Sequence, residues 1–283
     1  MQRFFVENIN NDTVEIFGDE AHHIKNVLRK KIGDVLFLFD GKGVEYEAEI
    51  EKIRELEIRL KIISKIQRDI ESKIKINLYQ SLPKGRKFDF IVEKTTELGV
   101  SKIIPVVSER TIFQMSLQEP ILSTRGNSKH ARWQKIALSA AKQCGRTVIP
   151  EISPIQTFQD SVMSLRIPPS ITAMDEVSIG EVSTGEVLAS EVSKQSQFSS
   201  CEVISIIPWE CEQKITLKNL LTTYHSPIVA INLFIGPEGG FSNSEIELAK
   251  KCGIISTTLG KRIFRSETAP IVVISNILYE LEN

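Results

Sequence analysis

Two glycine-rich turns in the last fifty residues have the composition of a ligand site. One follows the apolar run Ile228–Ile235 in FIGPEGGFSNSE, and the other lies in TTLGKRIFRSETAP, residues 257–270. Glycine tolerates positive φ angles and lets backbone N–H and C=O groups approach a ligand closely. In parallel α/β sheets, ligands collect at the carboxyl ends of strands. Both turns are therefore candidates for a binding site at such an edge.

Glu238, within the first turn, bears on the kind of ligand. Neither turn matches GxGxxG or GxxxxGK[ST], so the sequence does not favour a dinucleotide or P-loop site. A carboxylate at a helix N-terminus also opposes phosphate binding, because its negative charge offsets the positive end of the helix dipole that would attract a phosphate. A nucleoside or a cationic ligand fits better. The alternative for either turn taken alone is an ordinary tight connection between a strand and a helix.

The elements that must position these turns alternate between strands and helices from residue 74 onward. Strand-like runs are KINLYQSL, KIIPVV, VISIIPW, IVAINLFIG and ISTTLG; helix-like runs are GRKFDFIVEKTTELG, KHARWQKIALSAAKQCG, NSEIELAKKCG and APIVVISNILYELEN. Ser242 or Asn243 is the expected N-cap of the third helix, and Thr268 that of the last. This alternation predicts an α/β fold with a mostly parallel sheet, covering residues 73–283.

Residues 1–72 predict a separate, small β-barrel domain. DVLFLFDGKGVEYEAEIEKI indicates a hairpin, with Glu45, Glu47 and Glu49 facing water, and GDEAHHIKNVLRKKIGD indicates a short basic helix. A second interruption lies at about residues 170–200, which are rich in serine and acidic residues and self-similar. We interpret that stretch as a flexible surface insertion.

Composition excludes several classes of protein. Of 283 residues, 41% are hydrophobic and 25% charged, as in ordinary globular proteins. No apolar run is long enough to span a bilayer, MQRFFVENINND does not resemble a signal peptide, and the four cysteines have no metal-site spacing. We expect a cytoplasmic protein with no membrane segment and no metal.

The net charge of −1 hides an uneven distribution. Residues 84–146 contain 12 basic and 5 acidic residues, whereas residues 151–212 contain 2 basic and 10 acidic ones. The basic block is consistent with a surface for a polyanion. A solvated helix surface explains the same charges equally well.

The two turns together resemble those of a known family. LFIGPEGGFSNSEIELAKKCG followed by TLGKRIFRSETA is similar to the RsmE family of 16S ribosomal RNA uracil-N3 methyltransferases, in the SPOUT superfamily. HHIKNVLRKKIGDVLFLFDGKGVEY, QSLPKGRKFDFIVEKTTELGVSKIIPVVSERT and RWQKIALSAAKQCGRTVIPEI agree with it. The resemblance implies a PUA-like barrel, a SPOUT α/β domain with a trefoil knot, a homodimer, and S-adenosylmethionine as methyl donor to N3 of a uridine in 16S ribosomal RNA.

The resemblance also implies which residues form the site. The cofactor-binding residues would be Leu233, Gly236, Glu238, Gly239, Gly240, Leu259, Gly260, Ile263, Phe264, Arg265, Thr268 and Ala269. Arg265 is our candidate for stabilising charge on uracil, with a salt bridge to Glu267 as the alternative. Glu238 and Glu267 are candidate proton acceptors or, alternatively, capping carboxylates. Lys261 and Ser266 depart from the family's usual proline and threonine, and we expect cofactor binding to survive both changes.

RNA contacts are predicted for basic residues of both domains. They are Arg3, Lys25, Arg29, Lys30 and Lys31 in the barrel and Lys84, Arg86, Arg132 and Arg146 in the α/β domain. Such contacts to phosphates fix position rather than sequence choice. Two alternatives stay open: a SPOUT methyltransferase acting on tRNA or on a ribose 2′-hydroxyl, and a non-catalytic RNA-binding factor in ribosome assembly.

Overall fold

The N-terminal part of the chain folds around a five-stranded sheet. The computed structural model describes residues 3–7, 9, 12–68, 70–111, 124–165, 202–224 and 227–282, so the predicted insertion at about 170–200 lies outside it. The strands are β1 (Arg3–Phe5), β2 (Thr13–Phe17), β3 (Val35–Phe39), β4 (Val44–Ile53) and β5 (Glu57–Gln67). Their order is β1-β3-β4-β5-β2, with β1 parallel to β3 and the other pairs antiparallel. Helix α1 (Gly18–His22) and a π-helical turn (His23–Val27) connect β2 to β3.

A bulge in β5, at Ile63 opposite Glu47 and Ala48 of β4, corrects the expectation that Glu45 faces water. The register of β4 against β5 shifts between Glu47 and Ala48. Beyond the shift, Ala48 and Ile50 are buried and Glu49 is exposed, as alternation predicts. Before it the buried face changes parity, and the Glu45 side chain is only 1% exposed. An extra residue on one strand therefore moves the earlier half of β4 onto the opposite face.

The rest of the described chain forms a seven-stranded parallel sheet with helices on both faces. Its strands are β6 (Lys75–Ser81), β7 (Lys102–Val107), β8 (Glu151–Ile152), β9 (Gln156–Thr157), β10 (Glu202–Pro208), β11 (Ile228–Ile235) and β12 (Ile255–Thr257). The order is β12-β10-β11-β6-β7-β8, with β9 also pairing with β7. The predicted fold class, a parallel α/β domain after a small β domain, is confirmed. The trefoil knot and the boundary at residue 72 stay predictions.

Two apolar layers fill the space between this sheet and its helices. One face packs against α2 (Lys87–Glu97), α3 (Thr124–Cys144), α5 (Leu217–Thr223) and α7 (Ala269–Leu281). The other packs against α4 (Phe158–Ser164) and α6 (Asn243–Lys251). Leu233 and Phe234, adjacent in β11, point to opposite layers. Burial on both faces explains why β11 reads as a continuous apolar run. None of the described helices is long and apolar enough to cross a membrane.

Candidate active site

A cavity of about 980 Å³ opens at the carboxyl ends of β10, β11 and β12. Three loops line it: residues 208–216 after β10, residues 235–241 after β11, and residues 258–266 after β12. The second and third are the two glycine-rich turns of the sequence. They meet because β10 lies between β11 and β12, which brings all three loops to one edge.

The GPEGG loop needs its last two glycines for close packing. Gly240 has φ +66°, and its N–H donates to the Pro237 carbonyl at 3.0 Å. A Cβ on Gly240 would lie 2.5 Å from Oε1 of Glu210, and one on Gly239 would lie 3.2 Å from Cβ of Arg110. The Arg110 guanidinium also donates to the Gly239 carbonyl at 3.0 Å. A side chain at position 239 would crowd Arg110, and one at position 240 would be strained by the left-handed backbone and would displace the Glu210 carboxylate.

Ser266 ties the second glycine turn to the first. Its hydroxyl donates to the Gly236 carbonyl at 2.9 Å, and it lies 3.3 Å from Nε2 of Gln80, which donates to it. Gln80 is fully buried at the end of β6, and its Oε1 has no hydrogen-bond partner among the described residues. Sequence reasoning missed Gln80, although its place at a strand's carboxyl end was an available signal.

The loop after β10 was also missed, and it forms the third wall. Glu212 organises it: Oε2 accepts from the Ser256 hydroxyl at 2.6 Å, and Oε1 accepts from the N–H groups of Gln213 and Lys214 at 3.1 and 2.9 Å. The Ser256 bond is the main reason that the pKa of Glu212 is lowered; burial opposes it, and the backbone N–H groups add to it. The same strand-end rule that pointed to the other two turns also applied here.

Glu238 lines the cavity, and its carboxylate is bonded to Lys87. Its Oε1 accepts from the Lys84 backbone N–H and from Nζ of Lys87, both at 3.1 Å. Burial alone would raise the pKa of Glu238, but the bonds from its own backbone N–H, from Lys87 and from Lys84 outweigh burial and lower it. A carboxylate with a lowered pKa and two donors is a poor proton acceptor. These bonds favour the alternative role of Glu238 as a capping carboxylate, and its role as a proton acceptor stays a prediction.

Glu267 is held by the same lysine. Nζ of Lys87 lies 3.2 Å from its Oε2, and the hydrogen bonds to Glu238 and then to Glu267 raise the pKa of Lys87. Lys87 thus joins the GPEGG loop to the turn after β12, on the outside of the cavity. Glu267 does not line the cavity, which favours its alternative role as a capping carboxylate; its role as a proton acceptor stays a prediction.

Arg265 differs from both glutamates. It is exposed and lines the cavity, and its side chain makes no hydrogen bond or ion pair within the part of the chain that the structure describes. The alternative of a salt bridge to Glu267 is wrong, because that carboxylate pairs with Lys87 instead. The Arg265 guanidinium therefore has all its N–H donors free to bind a ligand.

The other predicted cofactor contacts divide into two groups. Leu233 and Thr268 do not line the cavity. Leu233 is fully buried within β11, two residues before the strand ends. Thr268 also makes no side-chain cap to α7. The remaining predicted positions line it: Gly236, Glu238, Gly239, Gly240, Leu259, Gly260, Ile263, Phe264, Arg265 and Ala269. The described residues contain no group of three or more potential metal ligands.

Comparison with known proteins places the chain in a family. The model of an RNA methyltransferase domain matches residues 70–278, and that of an RNA methyltransferase PUA domain matches residues 18–63. The chain belongs to the ribosomal RNA small subunit methyltransferase E family. The member from Bacillus subtilis is 28% identical, covering 100% of this chain and 98% of the relative. The member from Buchnera aphidicola of Acyrthosiphon pisum is 30% identical, covering 91% and 84%.

Solved structures of similar proteins share the whole fold. The ribosomal RNA small subunit methyltransferase E from Neisseria gonorrhoeae, bound to S-adenosyl methionine, is 29% identical with a TM-score of 0.74, covering 99% of this chain and 97% of that one. A putative methyltransferase from Legionella pneumophila, in complex with the cofactor SAM, is 26% identical with a TM-score of 0.72, covering 98% and 96%.

Within this methyltransferase fold, two of the predicted RNA contacts are wrong. Arg3 donates to Glu45 and to the Arg146 carbonyl, both at 3.0 Å. Arg146 is 6% exposed; it binds Glu71 at 2.7 Å and donates to the carbonyls of Thr96 and Val100. Both arginine side chains are only 7% exposed, and each guanidinium is bonded to a carboxylate and to at least one backbone carbonyl, so neither is available to a phosphate.

The other predicted RNA contacts stay on the surface. Arg29 and Lys31 are exposed beside the π-helical turn, with Lys25 and Lys30 half-buried. In the α/β domain, Lys84 and Arg86 are exposed where α2 begins, next to Glu238, and Arg132 is exposed but paired with Asp89. Their role toward RNA stays a prediction.

Proposed function

We propose that this protein transfers a methyl group from S-adenosylmethionine to N3 of a uridine in 16S ribosomal RNA of the small subunit. Membership in the family supports the reaction class. The observation that carries the proposal is a cavity at three strand ends, bordered by the GPEGG loop, by the glycine turn after β12, and by arginines whose side chains have no partner among the described residues, Arg265 among them.

The residues present fit the cofactor. The cavity has the size of a small-molecule pocket, about 300–1,000 Å³. Leu259, Phe264 and Ala269 offer apolar surface, while Gly239 and Gly240 offer backbone groups without a Cβ in the way. The lining contains both acidic and basic residues, as suits a ligand that has cationic groups and a carboxylate. When bound, S-adenosylmethionine supplies an electrophilic methyl group on a sulfonium.

The chain's own part in the reaction is to position and to stabilise charge. Uracil N3 loses its proton as it gains the methyl group, and negative charge develops on the neighbouring carbonyl oxygens. A guanidinium aimed at such an oxygen stabilises it, and Arg265 is placed and unpaired for this. N3 lies on the Watson–Crick edge, so the uridine must be unpaired or turned out of its helix before it reacts.

We also infer that the protein works as a cytoplasmic homodimer, with 16S ribosomal RNA as its partner within the small subunit. The family resemblance is the basis for the dimer, and two large apolar side chains, Ile263 in the turn after β12 and Tyr279 in α7, are 85% and 75% exposed. Light scattering during gel filtration tests this. The mass of a monomer at micromolar concentration would contradict it.

Primer extension on 16S ribosomal RNA tests the reaction. A methyl group on N3 blocks base pairing and stops the polymerase, so a strain lacking the gene should lose one stop, and the wild-type gene on a plasmid should restore it. An unchanged stop pattern would contradict the assignment. Methyl label found instead in tRNA or in a ribose would favour the alternative methyltransferase, and failure to bind S-adenosylmethionine at all would favour the non-catalytic assembly factor.

A further inference from the structure

The cavity contains one carboxylate that the site described above does not use, that of Glu210. Glu210 follows β10 by two residues, is exposed and lines the cavity. Its Oε1 and Oε2 lie 2.5 and 3.3 Å from the position that a Cβ on Gly240 would occupy. The carboxylate therefore lies directly against the backbone of the GPEGG loop.

Glu210 differs from the other two glutamates at the cavity in having no partner. Glu238 is paired with Lys87, and Glu212 accepts from Ser256 and from backbone N–H groups. Within the described ranges Glu210 makes no hydrogen bond and no ion pair. An unpaired negative charge at the wall of a partly enclosed cavity attracts a cationic ligand group, because the interaction is stronger there than in open water.

We propose that Glu210 binds the cationic methionine end of S-adenosylmethionine, its α-ammonium or sulfonium group. This inference rests on the proposed function. It gives to Glu210 the electrostatic role that the sequence suggested for Glu238, whose charge the structure assigns to Lys87. Glu210 is thus a specificity-determining residue that selects the charged cofactor over neutral nucleosides.

Calorimetry with three ligands tests the assignment. S-adenosylmethionine has both cationic groups, S-adenosylhomocysteine has only the ammonium, and 5′-methylthioadenosine has neither but retains the adenine and ribose. Glu210→Gln should weaken S-adenosylmethionine binding about tenfold or more. Its affinity for 5′-methylthioadenosine should stay within about twofold, since the loss of a charge pair alone does not affect a neutral ligand.

Glu247→Gln is the matched control, because Glu247 is exposed on α6 and outside the cavity lining, and it should leave all three affinities unchanged. Loss of S-adenosylhomocysteine binding along with that of S-adenosylmethionine assigns the contact to the ammonium; loss of S-adenosylmethionine binding alone assigns it to the sulfonium. Both results support the proposal.

Three results would overturn it. Equal weakening of all three ligands would mean that Glu210 binds the ribose or holds the loop. Unchanged affinities with reduced methylation would mean that its carboxylate acts on the RNA substrate. No binding of S-adenosylmethionine by the wild-type protein would overturn the proposed function itself, a result distinct from wild-type binding that Glu210→Gln does not weaken.

Discussion

The walls of the cavity depend on single side chains that each join two loops. Lys87 bonds to Glu238 and Glu267 on the outer side, and Ser266 bonds to the Gly236 carbonyl on the inner side. Both contacts connect the loop after β11 to the turn after β12. Because the loops are joined at two points, the position of Arg265 between them is fixed relative to the GPEGG turn.

Replacing Arg265 by alanine should reduce methylation by about 10²–10³-fold, the effect typical of removing one donor that stabilises charge in a transition state. Because the Arg265 side chain has no partner in the described structure, the midpoint temperature of thermal unfolding should not change. Methylation of small subunits with labelled cofactor measures the first effect and circular dichroism the second. Lys218→Ala, an exposed cation of α5, is the control. Full activity of Arg265→Ala would remove its assigned role.

Replacing Lys87 by methionine should destabilise the fold in a pH-dependent way. The lowered pKa of Glu238 means that its pairing stabilises the folded state above the ordinary glutamate value, 4.5, and that this stabilisation is lost as pH falls through the lowered folded value. The raised pKa of Lys87 sets the opposite limit, with stabilisation present below 10.5 and lost as pH rises through the raised folded value.

Urea unfolding across pH measures this. The difference between wild type and Lys87→Met should be constant near neutral pH and shrink in acid, whereas Lys218→Met should show no such trend. A difference that does not depend on pH down to strong acid would mean that Lys87 acts through packing rather than charge.

At the residue scale, the sequence predicts which residues lie at the cavity, but it does not predict which side chains form ion pairs with each other. The strand-end rule located Gly239, Gly240 and Arg265 at the cavity. It could not show that Glu238 meets Lys87, because those residues are 151 positions apart and their contact depends on the order of β6 and β11 in the sheet. The same strand-end rule holds for Glu210, which follows β10 by two residues.

At the scale of elements, the start of α6 anchors the GPEGG loop. Ser242 and Glu245 form the reciprocal capping box that the sequence predicted in part, with Ser242 as N-cap. Glu245 has a second role, since its Oε1 accepts from the Glu109 backbone N–H at 2.8 Å. One carboxylate thus joins α6 to the loop after β7, the segment whose Arg110 packs on Gly239.

Glu245→Ala should therefore destabilise the fold by about 1–3 kcal/mol, because it leaves the buried N–H of Ser242 and the partly buried N–H of Glu109 without their acceptor. Glu247→Ala, two residues along the same helix but exposed, should change stability by less than about 0.5 kcal/mol. Urea denaturation monitored by tryptophan fluorescence compares the two. Equal effects would mean that helix propensity, rather than the cap, explains the loss.

Long elements were predictable and short ones were not. The helices α2, α6 and α7 have enough residues for a period of 3.6 to show, and the strands β6, β7 and β11 are long enough to stand out as apolar, strand-like runs. Strands β8 and β9 have two residues each and no period. Helices α4 and α5 were missed although Thr157 and Thr216 cap them, a start signal that the sequence contained. The bulge in β5 opposite Glu47 and Ala48 interrupts an alternation in β4 that looks regular in the sequence.

At the scale of the whole molecule, a series of ion pairs and hydrogen bonds connects the two sheets. Glu45 of β4 pairs with Arg3 and Arg68, and Arg3 bonds to the Arg146 carbonyl. Arg146 in turn binds Glu71, in the segment that connects the two sheets. A backbone bridge between Lys42 and Val148 lies alongside. Sequence reasoning placed Arg3 and Arg146 on the RNA surface because basic residues are usually exposed; the fold instead uses them as internal connectors.

One experiment should therefore distinguish the arginines that connect the sheets from the surface lysines predicted to contact RNA, by their effects on stability and on the salt dependence of RNA binding. Arg146→Met leaves the Glu71 carboxylate and two backbone carbonyls without their donor, so it should cost about 3–5 kcal/mol of stability. It should leave the salt dependence of RNA binding unchanged, provided that the variant is folded at the temperature used. Arg146→Lys, which retains the charge, serves if the methionine variant does not fold.

Lys31→Met should do the reverse, because Lys31 is exposed and its side chain has no partner in the described structure. Its stability should stay within about 0.5 kcal/mol of wild type. The slope of log affinity for 16S ribosomal RNA against log salt should become shallower by about 0.7–0.9, the release of counterions from one phosphate. A shallower slope for Arg146→Met with unchanged stability would restore Arg146 to the RNA surface. An unchanged slope for Lys31→Met would remove that lysine from the RNA contact.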